Sequence, residues 1–316
     1  MNIKRQGKRN KKKNNGFQRE QGYISGLGRT ADIILSVVLI LISLLALLPV
    51  ILVIIISFSS EEAIIESGYS FFPEELSLDA YRYLSGHLGK ILQSLGVTLL
   101  VTVIGTVLSL FLISTMAYAL SRKDFLLRKL YTAIVVIPIF FGGGIASSYA
   151  VNTQFLGLKN SIWALILIPA CSSWYIIVMR TYFLSNIPPE ILEAARLDGA
   201  SAARIFFRFV IPLSKPIMIT VGLFEAFSYW NSWYENLLYT DSNHSGLYTL
   251  QYVLYNMEKN VSFLTSGDSI SGLSAARVPT ESFRMALVVV IILPILVTYP
   301  MFGRHIKNGL NAGAGK

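Results

Sequence analysis

The feature that most constrains this chain is a set of long apolar runs. Each is about the 20 residues that a helix needs to cross the hydrocarbon core of a bilayer. They are Ile33–Phe58, Leu92–Leu120, Leu130–Ala150, Ser161–Phe183, Ile217–Leu238 and Phe283–Phe302. A backbone in lipid must satisfy its own N–H and C=O groups, so such runs are read as helices. The expected fold class is therefore an all-α membrane protein with six transmembrane helices. Composition agrees: 14% of the 316 residues are charged and 53% are hydrophobic, where a soluble domain carries about 25% charged residues.

Several runs contain breakers. Pro49 lies inside the first and can kink it. Gly105 and Ser109 give the second a small-xxx-small pair that permits close helix approach. Pro138 and Gly142-Gly143-Gly144 interrupt the third, marking either a broken helix or a turn at the outer surface. Pro169 and Cys171-Ser172-Ser173 sit near the middle of the fourth. Cys171 is the single cysteine, so no internal disulfide forms, and within an apolar run it reads as a small packed residue.

Charge sets the topology. Six crossings place both termini on one side. Of the basic residues, nine precede Thr30, and Arg122, Lys123, Arg128 and Lys129 cluster after the second run. The 187–216 loop and the C-terminal tail add seven more, while the loops on the other side carry Arg82, Lys90, Lys159, Lys259 and Arg277. The basic set is cytoplasmic by the positive-inside rule. The net charge of +9 is thus a topology signal and not a nucleic-acid groove, and no nucleic-acid partner is expected. Residues 1–29 cannot bury a core and read as a disordered basic cytoplasmic tail with membrane lipid as its partner. They are not a cleaved signal peptide, because the run that follows exceeds an h-region of about 7–15 residues. The expected order is that tail, then a first helix with an extracytoplasmic segment over 30–91. A transmembrane domain over 92–302 and a cytoplasmic tail over 303–316 complete it.

One inter-run stretch is unlike the others: IPPEILEAARLDGASAARIFFRFVIPLSKP, from Ile187 to Pro216. Pro188 and Pro189 can open a helix, since a first-turn residue needs no N–H partner. Glu190 and Glu193 are expected in its first turn, where negative charge meets the positive helix end. Ile191, Ala194, Ala195 and Leu197 continue the helical spacing, and Gly199 closes it. In a second helical segment Ile205, Phe206 and Phe209 share a spacing, with Arg204 and Arg208 on another side. Pro212 and Pro216 are expected to break that segment. A hairpin with so few apolar anchors should dock onto something.

These residues carry a family resemblance. Glu193-Ala194-Ala195, Asp198-Gly199-Ala200, Ile211-Pro212 and Pro216 resemble the EAA loop of ABC-importer permeases. Trp163–Thr181 and Pro279–Pro300 resemble the carbohydrate-type members of that family, over roughly the stretch from Leu92 onward. The resemblance implies the type-1 ABC importer permease fold, with Glu193, Ala194, Ala195, Asp198, Gly199, Ala200 and Pro212 in the ATPase-coupling loop. It further implies a second permease subunit as heterodimer partner, a cytoplasmic ATPase dimer and an extracytoplasmic solute-binding lipoprotein. A carbohydrate, in the first place an oligosaccharide, would cross the plasma membrane by alternating access. ATP-Mg would be used on the partner ATPase, with no cofactor, metal or catalytic residue in this chain. The residues agree: there is no G-x-x-x-x-G-K-[ST] phosphate loop and no H-E-x-x-H, and His87, His244 and His305 fall in separate loops or the tail.

Two other transport classes compete. A secondary, ion-coupled transporter would show inverted repeats and paired broken helices, but the Glu193–Gly199 motif has no second copy. An ABC permease for a non-sugar solute fits the loop equally well. The stretch that bears on cargo is FEAFSYWNSW, Phe224–Trp233. A carboxylate within a span faces the bundle interior or a wet cavity, which makes Glu225 a cavity residue or an inter-subunit partner. Glu225, Ser228, Tyr229 and Ser232 share a helical face, and with Trp230, Asn231 and Trp233 they form a polar-aromatic set suited to sugars. The alternative for Trp230 and Trp233 is anchoring at the membrane interface. Carbohydrate-type permeases usually have a neutral residue at the position of Glu225, so no family role transfers to it.

Overall fold

The computed structural model describes residues 29–265, 281–293 and 296. Its described residues are helical except for loops and one isolated antiparallel bridge, Ser59–Leu76. The chain divides after Ile54 into two units. The first holds most of helix α1 (Arg29–Ser57), which is apolar on every side and exposes its side chains from Ile33 to Leu48. A helix hydrophobic all round needs apolar surroundings. Pro49 lies inside α1 without ending it.

The second unit is organised on one long helix. After α2 (Glu61–Ser67) and α3 (Asp79–Ser85), α4 runs 34 residues from Leu88 to Ser121. Its buried face reads Ser94, Thr98, Val101, Gly105, Ser109, Ile113, Ala117 and Leu120, at spacings of three and four. Leu92, Leu99, Val103, Val107 and Phe111 are exposed. Both faces are apolar enough for lipid, so side-chain size, not hydropathy, selects the inner one.

The other runs are interrupted. Helix α5 (Arg128–Phe140) stops before the glycines, Gly144 takes φ 80°, and α6 (Ile145–Ala150) follows, leading into a π-helical turn, Val151–Phe155. The glycines therefore mark a break between helices. The fourth run splits into α7 (Ile162–Leu167) and α8 (Ser173–Asn186) around Pro169, whose ring disfavours helix at the residue before it. Next come α9 (Pro189–Leu197), α10 (Ala202–Ile205), a π-turn over Phe206–Val210 and α11 (Ile211–Leu213). Helices α12 (Lys215–Trp230), α13 (Tyr234–Tyr239) and α14 (Leu250–Thr265) precede a final helical stretch, residues 281–293 (α15).

Six continuous spans are thus not seen among the described residues. Among these, only α1 and α4 are each long and apolar enough to cross a membrane. The pair Ala202–Leu213 and Lys215–Trp230, bent by 83°, would be a third. Apolar length in the sequence runs straight through prolines and glycines, whereas the helices end at them. The sixth expected run lies within the described residues only over 283–293 and 296, and both expected tails lie outside them apart from Arg29 at the start of α1.

Two clusters hold the second unit together. Ile113, Ala117 and Leu120 of α4 pack with Met179 and Phe183 of α8 and with the 187–216 hairpin. At the other end of α4, Ile91 joins Leu84, Leu250, Leu254, Phe283 and Leu287. There α15 begins against a distant cap: the Glu61 carboxylate accepts from the Glu281 N–H at 2.9 Å and the Ser282 N–H at 3.1 Å. Helix-start N–H groups have no partner within the helix, so a carboxylate from elsewhere fixes where this one begins.

Candidate functional site

The 187–216 hairpin is closed by a complete backbone motif. Asp198 caps α9, and Gly199 follows in the left-handed region with φ 77°. The Gly199 N–H donates to the Arg196 carbonyl and the Ala200 N–H to the Ala195 carbonyl, each at 2.9 Å. This pairing of a six-to-one and a five-to-two bond is the Schellman closure that favours glycine. Ser201 then caps α10, its hydroxyl accepting from the Arg204 N–H.

The faces of α9 differ from the plain spacing argument. Leu192 and Ala195 point inward, into the cluster with Ile113, Met179 and Phe183. Ile191, Ala194 and Leu197 face out, Leu197 with 89% of its surface exposed. Glu190 alone is in the first turn, and Glu193 stands one turn later, exposed. Past the glycine, Ile205, Phe206 and Val210 are buried while Phe207 is exposed. The prolines are not where the segment breaks. Pro212 sits inside α11 directly after the π-turn, and Pro216 sits in the first turn of α12, so the bend falls at Ser214. A wide turn ahead of Pro212 relieves the clash of its ring with the carbonyl four residues back.

A third element ties the hairpin down. Asp124, in the loop between α4 and α5, lies 2.5 Å from Arg196 Nη2 and 3.2 Å from Arg122 Nε. The hydrogen bond from Arg196 holds the Asp124 carboxyl below the usual carboxylate range, with the Arg122 charge adding to it. Asp124 is 72 residues from its partner, and no local signal in the sequence announces it.

The polar-aromatic stretch of α12 divides between inside and outside. Glu225 and Tyr229, 2% and 1% exposed, face α4, and Trp230 is also buried. The Tyr229 hydroxyl donates to the Ile166 carbonyl at 2.7 Å and lies 2.9 Å from Ser109 Oγ. The break at Pro169 explains that first bond. A continuous helix would pair the Ile166 carbonyl with the Ala170 N–H, which here turns to Leu167, and the tyrosine takes its place. Ser109 is also the hydrogen-bond partner of Glu225. Glu225 faces the interruption between α7 and α8, near Cys171 and Tyr175. Ser228, Asn231 and Trp233 point the other way and are exposed.

At the C-terminal end of α12 the chain turns over Asn231–Thr249. Fully buried Asn236 pins this turn, receiving the Thr249 N–H at 2.9 Å and donating to the Leu247 carbonyl at 3.1 Å. Trp233 stacks on Tyr255 of α14, ring centroids 4.6 Å apart. Gln251 donates to Asn231, and a groove of about 390 Å³ lined by Trp233, Gln251, Tyr255, Glu258 and Arg284 opens between α14 and α15. The sequence reading included Trp233 and Asn231 for the composition of their stretch and did not include Gln251 and Tyr255, whose places depend on how α14 folds back.

Comparison with known proteins fits this architecture. Residues 109–311 match the model of the binding-protein-dependent transport system inner membrane component family. The chain belongs to that family. The permease is 37% identical to a polygalacturonan/rhamnogalacturonan transport system permease protein, YtcP of Bacillus subtilis (strain 168), over 91% of its own length and 99% of the relative's. It is 26% identical to the arabinooligosaccharides transport system permease protein AraQ of Halalkalibacterium halodurans, over 87% of its own chain and 93% of that one. Among solved structures it resembles a bacterial ABC transporter involved in the import of the acidic polysaccharide alginate. That match has a TM-score of 0.70 and 28% identity, covering 90% of the permease and 99% of that chain. The permease is accordingly a membrane subunit of an ABC transporter, not an enzyme. Both the 187–216 hairpin and the α4–α12 crossing from Ser109 onward lie inside the matched family segment.

Proposed function

We propose that this permease is one half of a heterodimeric importer that carries an oligosaccharide inward, driven by a cytoplasmic ATPase dimer and supplied by an extracytoplasmic solute-binding lipoprotein. The observation that carries this reading is the two-faced α9. Leu192 and Ala195 lock it to the bundle, while Ile191, Ala194 and Leu197 stand exposed beside Glu193 and the glycine closure. An apolar face held rigid and left bare is a docking surface, and the EAA spacing names an ATPase as its partner. The names of the relatives, which concern polygalacturonan and rhamnogalacturonan, arabinooligosaccharides and alginate, support a carbohydrate cargo. ATP-Mg is used on the ATPase.

In this reading the bundle crosses the membrane six times, by α1, α4, α5 with α6, α7 with α8, α12, and the run that begins with α15. Both termini are cytoplasmic, as the basic loops require. Residues 92–302 form the transport domain proper, between the basic tails at 1–29 and 303–316. Glu225 and the interrupted fourth span form the inner part of the path, because non-helical backbone at membrane depth is tolerated where it lines a cavity. Asn231, Trp233 and Ser228, with Gln251 and Tyr255, form the sugar-facing rim, where aromatic rings cover apolar sugar faces.

The test is reconstitution of the full transporter with uptake of labelled oligogalacturonide. Uptake should require ATP and the binding protein, and the sister permease and ATPase should co-purify. Uptake driven by an ion gradient by this chain alone would establish the secondary-transporter reading instead. In the same preparation, a cysteine at Ser242 should react with an impermeant reagent from outside and one at Ser201 should not. Glu225→Gln should change uptake and leave assembly intact; loss of the sister permease would make Glu225 an inter-subunit contact.

A further inference from the structure

A second surface of the permease has the chemistry of a ligand site. The loop after α4 and the start of α5 form, with α8, a groove of about 830 Å³. Four cations line it: Lys123, Arg128, Lys129 and Arg180. Its remaining wall is apolar apart from Thr132, with Phe125, Leu126, Ala133 and Val136. The loop's one carboxylate, Asp124, is already bonded to Arg122 and Arg196, and among the described residues none of the four cations forms an ion pair. Arg180 is fixed by a different bond, its Nε donating to the Leu120 carbonyl at 3.1 Å.

Two features set this cluster apart from an ordinary solvated face. Arg128 and Lys129 occupy the first turn of α5, with no acidic residue in that turn and no capping side chain. Cations there add to the positive end of the helix instead of offsetting it, so the local fold does not account for them. The lining also changes character along α5, from Arg128 and Lys129 in its first turn to Ala133 and Val136 one and two turns on. A soluble anion would use only the cationic end.

We propose that this groove binds an anionic phospholipid, its phosphate among Lys123, Arg128, Lys129 and Arg180 and an acyl chain along Ala133 and Val136. A lipid supplies both halves of the complementarity: a phosphate for the cations, which an anionic surface attracts, and hydrocarbon for the apolar wall. The proposal rests on the membrane placement given above but not on which side the loop faces. It is independent of the cargo.

The experiment uses the assembled transporter in nanodiscs holding equal amounts of phosphatidylglycerol and phosphatidylcholine. Lipids retained after detergent release are counted by native mass spectrometry. The wild type should retain phosphatidylglycerol over phosphatidylcholine by at least about threefold, which is less than one such contact supplies. An excess of inorganic phosphate should not displace it. The triple variant Lys123→Gln, Arg128→Gln, Lys129→Gln should retain the two lipids equally. Equal retention by the wild type overturns the proposal, and that measurement stands even if the triple variant fails to assemble. Displacement by inorganic phosphate overturns it in favour of a soluble-anion site. A triple variant that keeps its lipid preference and loses the ATPase overturns it too, assigning the cations to subunit contact.

Discussion

Two glycines of this permease act in opposite ways. Gly199, in the docking hairpin, stands in open space: a Cβ built on it meets nothing within 4 Å, and its role is the backbone angle φ of 77°. Gly105, in the α4–α12 crossing, lies within the α4 helix, yet a Cβ there would lie 2.5 Å from the Tyr229 ring. The first is needed for a dihedral and the second for a volume. A hairpin at the surface is specified by its own backbone, and its consequences appear only when a partner docks. A crossing of buried helices is specified by what lies across from it, and its consequences appear in folding itself.

The largest effect expected is at the crossing. Gly105→Val drives a branched side chain into Tyr229, whose hydroxyl holds the Ile166 carbonyl and reaches Ser109. Overpacking of this kind costs about 1–3 kcal/mol and at times more, and displacing the tyrosine also leaves a buried carbonyl unpaired. Recovery of monodisperse permease by size-exclusion chromatography should fall severely, and Tyr229→Ala in the same chain should restore part of it. Undiminished recovery of Gly105→Val would mean that the two helices do not approach as closely as described.

Gly199→Val should separate the two regions. A β-branched residue in the left-handed region costs about 1–2 kcal/mol, which the chain can escape by reorienting α9, since nothing crowds the position. The permease should insert and purify as usual, because the α4–α12 crossing is untouched. ATPase recovery and ATP-driven uptake should be lost. Normal uptake by this variant would show that α9 is not the coupling element and would remove the main support for the proposed function.

The same contrast explains what the sequence made legible. The ends of the first hairpin helix could be read locally, since Pro189 and Gly199 each impose a geometry that the structure retains. The Gly105–Ser109 pair likewise pointed to close approach, and Tyr229 meets both. The failures have two causes. The spans break at local prolines and glycines that apolar length passes over, whereas the face of α9 and the fate of the Phe224–Trp233 stripe depend on residues far along the chain. Helical spacing puts Tyr229 and Ser228 near one another, but only Ser109 and Ile166 decide that one turns in and the other out. Asp124 belongs with these, as does Gln251.

The smallest effect expected concerns that long-range tie. The Asp124 carboxylate bonded to Arg196 is about half exposed, and such pairs contribute about 0.2–1 kcal/mol. Its pKa is depressed in the folded protein, chiefly by the Arg196 hydrogen bond. The contribution is therefore fully present above the ordinary aspartate value of about 3.9 and is lost as pH falls through the depressed one. Between pH 5 and 8, about where transport would be assayed, the tie should not titrate. Asp124→Asn should lower ATPase recovery at neutral pH by no more than about fivefold, the factor that corresponds to 1 kcal/mol. Asp124→Glu should restore most of it, and high salt should shrink the difference between wild type and Asp124→Asn, because an exposed pair is screened. If Asp124→Asn instead abolishes recovery at any salt concentration, the aspartate contacts the ATPase directly, and the hairpin is not held by the bundle alone. If recovery is unchanged at low salt, Leu192 and Ala195 are sufficient to seat α9, and the docking surface is fixed from its apolar side.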